Sequence, residues 1–186
     1  MNVARVPGRS ETVAAWRAGL LDRLIADVLE PVIGEPFMDL GRAADLIWLG
    51  FGEKVGAPTR RDPERRTARH RLHVMCPFRL DSNDAILVAA SDIYRPVGAA
   101  DSIENFDWDK PGANLFDASV ANFWSDHQPG FAVLDRVGSD PMGGLHLELS
   151  SGHTIRIFPN RSGTSEHWRY FAIDAEDHFV VVPDNC

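Results

Sequence analysis

From residue 144 to 182 the chain alternates apolar and polar side chains regularly enough for strands to be read directly. Leu145, Leu147 and Leu149 alternate with His146 and Glu148, and after Ser150-Ser151-Gly152 the residues Ile155 and Ile157 alternate with Thr154 and Arg156. A three-residue loop with Gly152 in the left-handed conformation pairs Leu147 with Ile155 and Leu145 with Ile157. A two-residue turn would set Leu147 against Arg156, so the three-residue register is expected. A polar loop over 160–165 leads to Glu166-His167-Trp168-Arg169-Tyr170-Phe171-Ala172-Ile173, and 174–177 turns into His178-Phe179-Val180-Val181-Val182. The expectation is a four-strand meander.

The other clear periodicity is helical. Ser10 is a candidate N-cap, and Val13, Trp16, Leu20, Leu24 and Val28 follow at spacings of three and four, with Leu21, Ile25 and Leu29 widening the stripe up to Pro31. Residues 37–40 and 46–51 read as short strands, the second with a helical fragment as its alternative. Leu72, Val74 and Cys76 alternate with His73 and Met75, and 78–80 and 85–90 then form a hairpin whose second arm is apolar on both sides. Its exit, 91–96, is read as extended, with Asp92 and Tyr94 on one face. A short helix over 118–127 and a strand over 131–137 complete the pattern. The fold class is α+β: one N-terminal amphipathic helix packed on a mostly antiparallel, twisted sheet that ends in the C-terminal β-meander.

Two connections stand out for what they lack. Residues 54–71 hold Pro58, Pro63 and six arginines with few large apolar side chains, which predicts an exposed arginine-rich loop. Residues 101–117 are acidic and irregular, with Phe106, Trp108 and Phe116 set among Asp101, Glu104, Asp107, Asp109 and Asp117.

Composition narrows the classes. At 186 residues and 44% hydrophobic content the chain suits a single domain, 1–186, with a continuous core. No run is long enough for a membrane span, and residues 1–10 lack the apolar segment of a signal peptide, so a cytoplasmic location without membrane association is expected. Cys76 and Cys186 lack the spacing of a disulfide framework or zinc site and read as free thiols. A formal charge of −8 argues against nucleic acid and is compatible with a basic protein partner. The arginine-rich run has no stacking aromatics between residues 52 and 70 to turn it into a nucleic-acid surface.

No motif names a reaction. Residues 107–112 begin like a calcium loop but place Pro111 at the fifth position and Ala118 at the twelfth. His146 and Glu148 share a strand face that Glu166, His167 or His178 could join as metal ligands, but a solvated polar strand face explains the same pattern; no nucleophile elbow is present, and no glycine loop for phosphate or dinucleotide occurs. No metal and no cofactor is therefore assigned. The acidic loop supplies the expected partner-binding residues Glu104, Phe106, Asp107, Trp108 and Asp109, whose aromatics would anchor while the carboxylates steer a basic protein. Arg79, Glu166 and Arg169 form a candidate ion-pair patch. The competing reading is a small hydrolase or metal-dependent enzyme using carboxylates and histidines near Asp92, Asp107, His146 and Glu166.

The segments Leu72-His73-Val74-Met75-Cys76-Pro77-Phe78-Arg79, Ser91-Asp92-Ile93-Tyr94-Arg95-Pro96, Glu166-His167-Trp168-Arg169-Tyr170-Phe171 and His178-Phe179-Val180-Val181 together resemble a set of uncharacterised bacterial proteins of similar length, common in actinobacteria. In size, acidity and C-terminal motifs the chain is also similar to immunity proteins encoded beside polymorphic toxins. That resemblance implies a non-enzymatic protein that occludes a basic toxin surface.

Overall fold

The computed structural model describes residues 21–98 and 106–182. Helix α1, Leu21–Leu29, is closed by a 3₁₀ turn over Glu30–Val32, where Pro31 loses no hydrogen bond because a first-turn N–H has no helical partner. Leu21, Ile25 and Leu29 recur every fourth residue and are at most 1% exposed. Leu24 and Val28 only flank them, so the stripe is rotated from the expected one. Val13, Trp16 and Leu20 lie outside the described residues.

Ten strands follow among the described residues: β1 Phe37–Ala43, β2 Leu46–Gly56, β3 Arg66–Val74, β4 Phe78–Asp81, β5 Ile86–Ala89, β6 Leu134–Ser139, β7 Leu145–Leu149, β8 Thr154–Ile157, β9 Trp168–Ala172 and β10 Phe179–Val181. Helix α2, Leu115–Asp126, lies between β5 and β6. The strands form two five-stranded sheets, ordered β1-β2-β3-β9-β10 and β5-β4-β8-β7-β6, with antiparallel pairing throughout. The fold is α+β. Alternating positions of both sheets, with α1 and α2, fill one contiguous core that includes Phe37, Phe51, Phe116, Leu80, Leu147, Ile155 and Trp168. Helix α1 packs on β6, and α2 packs on β5, β1 and the 3₁₀ turn Ala90–Tyr94.

The β7–β8 register is the expected one: Leu147 faces Ile155 and Leu145 faces Ile157, and Gly152 closes the loop at φ 84°. The meander itself is divided. After β8 the chain crosses to the other sheet over 158–167, where the Met75 N–H bonds to the His167 carbonyl and the His167 N–H to that of Val181. Strand β4 takes the free edge of β8, with Phe78 opposite Ile157. Crossing buries Trp168 completely and lets its Nε1 donate to the Gly143 carbonyl at 2.7 Å, so the four strands form two hairpins in two sheets.

The arginine-rich loop is shorter than expected. Strand β2 runs to Gly56 and β3 begins at Arg66, leaving only 57–65 as connection. The arginines mask a strand because their charges are met on the sheet. Arg69 pairs with Glu53 and Asp174, and Arg71, 5% exposed, bonds to Asp39 at 2.8 Å and to the Thr67 hydroxyl while lying over Trp48. Two other expectations change. Strand β5 is an edge strand with Ile86 60% exposed, and residues 90–94 are a 3₁₀ turn that buries Ile93, so Asp92 and Tyr94 do not share a face.

Candidate partner-binding surface

The segment 106–114 is held from three directions. At its C-terminal end Asn114, fully buried, caps α2 by accepting from the Asp117 N–H at 2.8 Å and donates through Nδ2 to the Trp108 carbonyl at 2.8 Å. Within the segment the Asp107 carboxylate accepts from the Asp109 N–H at 3.1 Å, a local turn that spends one oxygen of the first would-be calcium ligand. A bridge between Pro96 and Asn114, with the Val97 N–H on the Ala113 carbonyl and the Leu115 N–H on that of Arg95, ties the segment to 95–97.

The third tether is electrostatic. Arg42, at the end of β1, has a side chain only 6% exposed and forks onto Asp117 at 2.7 and 2.9 Å, with a longer contact to Asp109 at 3.4 Å. The Asp117 bond holds the guanidinium pKa above its ordinary value. For Asp117, burial alone would raise the carboxyl, but the Arg42 bond and the Gly112 N–H at 2.7 Å more than reverse that and leave it lowered. Asp117 therefore belongs to α2 and serves structure, and Phe116 beside it is completely buried.

What remains outward is mixed: Asp107, Asp109, Lys110, Pro111 and Gly112 are exposed, with aromatic rings beside them. Trp108 is half-buried, packs on the core and meets Tyr94 at 5.3 Å between ring centroids. Tyr94 is 55% exposed and Val97 48% exposed, and Asp107 and Asp109 lie exposed beside them. Phe106 is half-buried. Glu104 and Asp101 lie outside the described residues. Tyr94 belongs to this surface although the sequence placed it elsewhere; the signal for it is a large aromatic followed by Arg95-Pro96, where the chain leaves an element.

The other candidate residues are dispersed. Glu166 and Arg169 form the expected two-pronged pair, at 2.6 and 2.5 Å, beside the first sheet. Arg79 does not join them: it lies on β4 in the second sheet and bonds to Asp81 at 2.8 Å. The residues of the enzyme reading spend themselves separately. Asp92 meets Arg95 at 3.3 Å, Asp107 turns its own loop, His146 lies 3.7 Å from Glu148, and Glu166 holds Arg169. Among the described residues no three His, Cys, Asp or Glu side chains meet in a metal-holding group. Burial pushes the Cys76 thiol up to about 12, which suits an inert core thiol and not a nucleophile. No helix among the described residues is long and apolar enough to cross a membrane. No known family model, curated protein or solved structure matches this chain.

Proposed function

We propose that this chain is a non-enzymatic binding protein that docks a basic polypeptide on the surface made by Tyr94, Val97, Trp108, Asp107 and Asp109. The observation that carries the reading is the Tyr94–Trp108 pair: one ring is more than half exposed and the other is rooted in the core. Rigid aromatics of this kind lose little conformational freedom on binding, and they supply most of the energy of many interfaces. The charge of −8 and the two exposed carboxylates favour a cationic partner and would speed its approach. The similarity to immunity proteins suggests a toxin as that partner, held by occlusion and not by chemistry.

The test is parallel capture from cells of the source organism on immobilised wild-type chain and on a variant carrying Tyr94→Ala, Asp107→Lys and Asp109→Lys. A basic polypeptide retained by the first, released by rising salt and absent from the second supports the reading. Equal retention on both overturns it.

A further inference from the structure

The outward positions of the second sheet carry an arrangement that the docking surface does not use. Along β4, β8 and β7 the buried residues Phe78, Leu80, Ile155, Ile157, Leu145 and Leu147 alternate with Arg79, Asp81, Thr154, Arg156, His146 and Glu148 on the opposite face. Arg79 is directly opposite Arg156, and Arg156 is directly opposite His146. The facing guanidiniums of Arg79 and Arg156 are like charges, which destabilise a sheet. One carboxylate meets both guanidiniums: Asp81, 7% exposed, accepts from Arg79 Nε and from Arg156 Nη1. Two positive charges thus share one negative charge at the centre of the row.

The donors are also only partly spent. A guanidinium has five N–H groups. Neither terminal nitrogen of Arg79, nor Nε and Nη2 of Arg156, has an acceptor among the described residues. Arg79 is nevertheless held in place, by Asp81 at Nε and by the Phe158 ring 5.4 Å from its central carbon. Both side chains are accessible, 39% and 28% exposed, and open on a polar cleft of about 400 Å³ that Ser82, Asn83, the carboxylate-bearing Asp84 and Thr154 help to wall. That size falls within the range of small-molecule sites, roughly 300 to 1,000 Å³.

We propose that this cleft is a binding site for the oxyanion of a small molecule, a phosphate or carboxylate group held by the free N–H forks of Arg79 and Arg156. Asp81 orients the two forks, and Asp84, the other carboxylate of the cleft, is met by the Ser82 hydroxyl at 3.1 Å, so the bound anion takes the N–H groups that neither carboxylate uses. The site does not depend on the docking surface, since the two share no residue.

The experiment is a titration of the ¹⁵N-labelled protein followed through backbone amide signals and the Nε–H signals of its arginines. Inorganic phosphate, malonate and a nucleoside monophosphate are added separately, each against sodium chloride at equal ionic strength. Saturable shifts at Arg79 and Arg156 with half-saturation at roughly 1 mM or below are expected for at least one anion. Phosphate against malonate tells which oxyanion is preferred, and the nucleotide tells whether the cleft also holds an organic body. Arg79→Gln and Arg156→Gln should each weaken that binding at least tenfold while leaving the urea midpoint of the chain nearly unchanged. Shifts that follow chloride equally, no saturation up to tens of millimolar, or saturation that survives both variants would each overturn the site.

Discussion

Two connections of nine residues each, 57–65 and 106–114, invite comparison. Both are rich in charge and contain proline. In the first, 58–65 are all exposed, and its hydrogen bonds are local: Ala57 N–H to the Arg65 carbonyl, Thr59 N–H to that of Asp62, and Asp62 N–H to the Thr59 hydroxyl. The second is fastened to β1 by Arg42, to 95–97 by a bridge, and to the core by Trp108 and Asn114. Charge content does not separate a spacer from an anchored segment; the number of bonds leaving the segment does. The first is a hairpin closure whose loss costs loop entropy alone, and the second is a shaped part of the molecule.

Breaking the strongest tether should have the largest effect. Arg42→Ala leaves Asp117 partly buried without its partner and frees the segment, so a loss of about 2 to 3 kcal/mol in urea denaturation is expected. Little loss would mean that the segment is held by its own turns. Next comes Trp108→Ala, which removes a half-buried ring from the core edge and should cost about 2 kcal/mol by the same assay, together with most of the partner affinity. On the other side of the comparison, replacing 58–64 with a Gly/Ser linker of equal length should shift stability by less than ~1 kcal/mol. Extending the replacement through Arg69 should unfold the first sheet, because Thr67 and Ala68 are buried in β3.

Acid should distinguish the two regions last and least. His73 is pushed down to about 4, by burial first and then by Arg71 and Arg169, and burial likewise lowers His70, His153 and His167. A base whose folded pKa lies below its unfolded value of about 6.5 binds fewer protons when folded. Stability is thus fully present above about pH 6.5 and falls as the pH drops through the window toward 4. In that window hydrogen exchange should quicken in β3, which carries His70 and His73, before it quickens in 106–114, whose Asp117 has a lowered pKa and keeps its charge through the same range. Simultaneous loss of protection in both would remove the distinction.

How much of this was legible follows from what a pattern can encode. The β7–β8 hairpin and its register were readable because alternation and a positive-φ glycine point to the same pairing. Strand β3 was readable only from Leu72 onward. Just before Leu72 it buries Arg71 against Asp39 and Trp48, partners 32 and 23 positions away that no local pattern reveals. The division of the C-terminal strands between two sheets was likewise hidden, since a polar ten-residue connection looks the same whether it turns back or crosses over. Of the proposed docking surface, Asp107, Trp108 and Asp109 were visible, with Phe106 beside them, as aromatics among acids. Tyr94 was not, because the contact that places it beside Trp108 spans a 3₁₀ turn that alternation had rendered as extended chain.

Gly41 offers a sharper test of how tightly the outward face of the first sheet is packed. A methyl group there would lie 2.6 Å from Cζ2 of Trp48, so Gly41→Ala should cost about 1 to 3 kcal/mol even though the residue sits on an edge strand. A neutral result would mean that Trp48 is free to swing away from Arg71.

The central claim, that the anchored segment with its exposed aromatic pair is the docking surface, is tested most directly by one paired measurement on Tyr94→Ala: urea stability, and affinity for the basic partner recovered by capture. With the ring 55% exposed, the variant should stay within about 0.5 kcal/mol of wild type in stability and bind at least thirtyfold more weakly, about 2 kcal/mol. Unchanged affinity, or a stability loss of several kcal/mol with binding lost only through unfolding, would contradict the claim and make the Tyr94–Trp108 pair a piece of core packing.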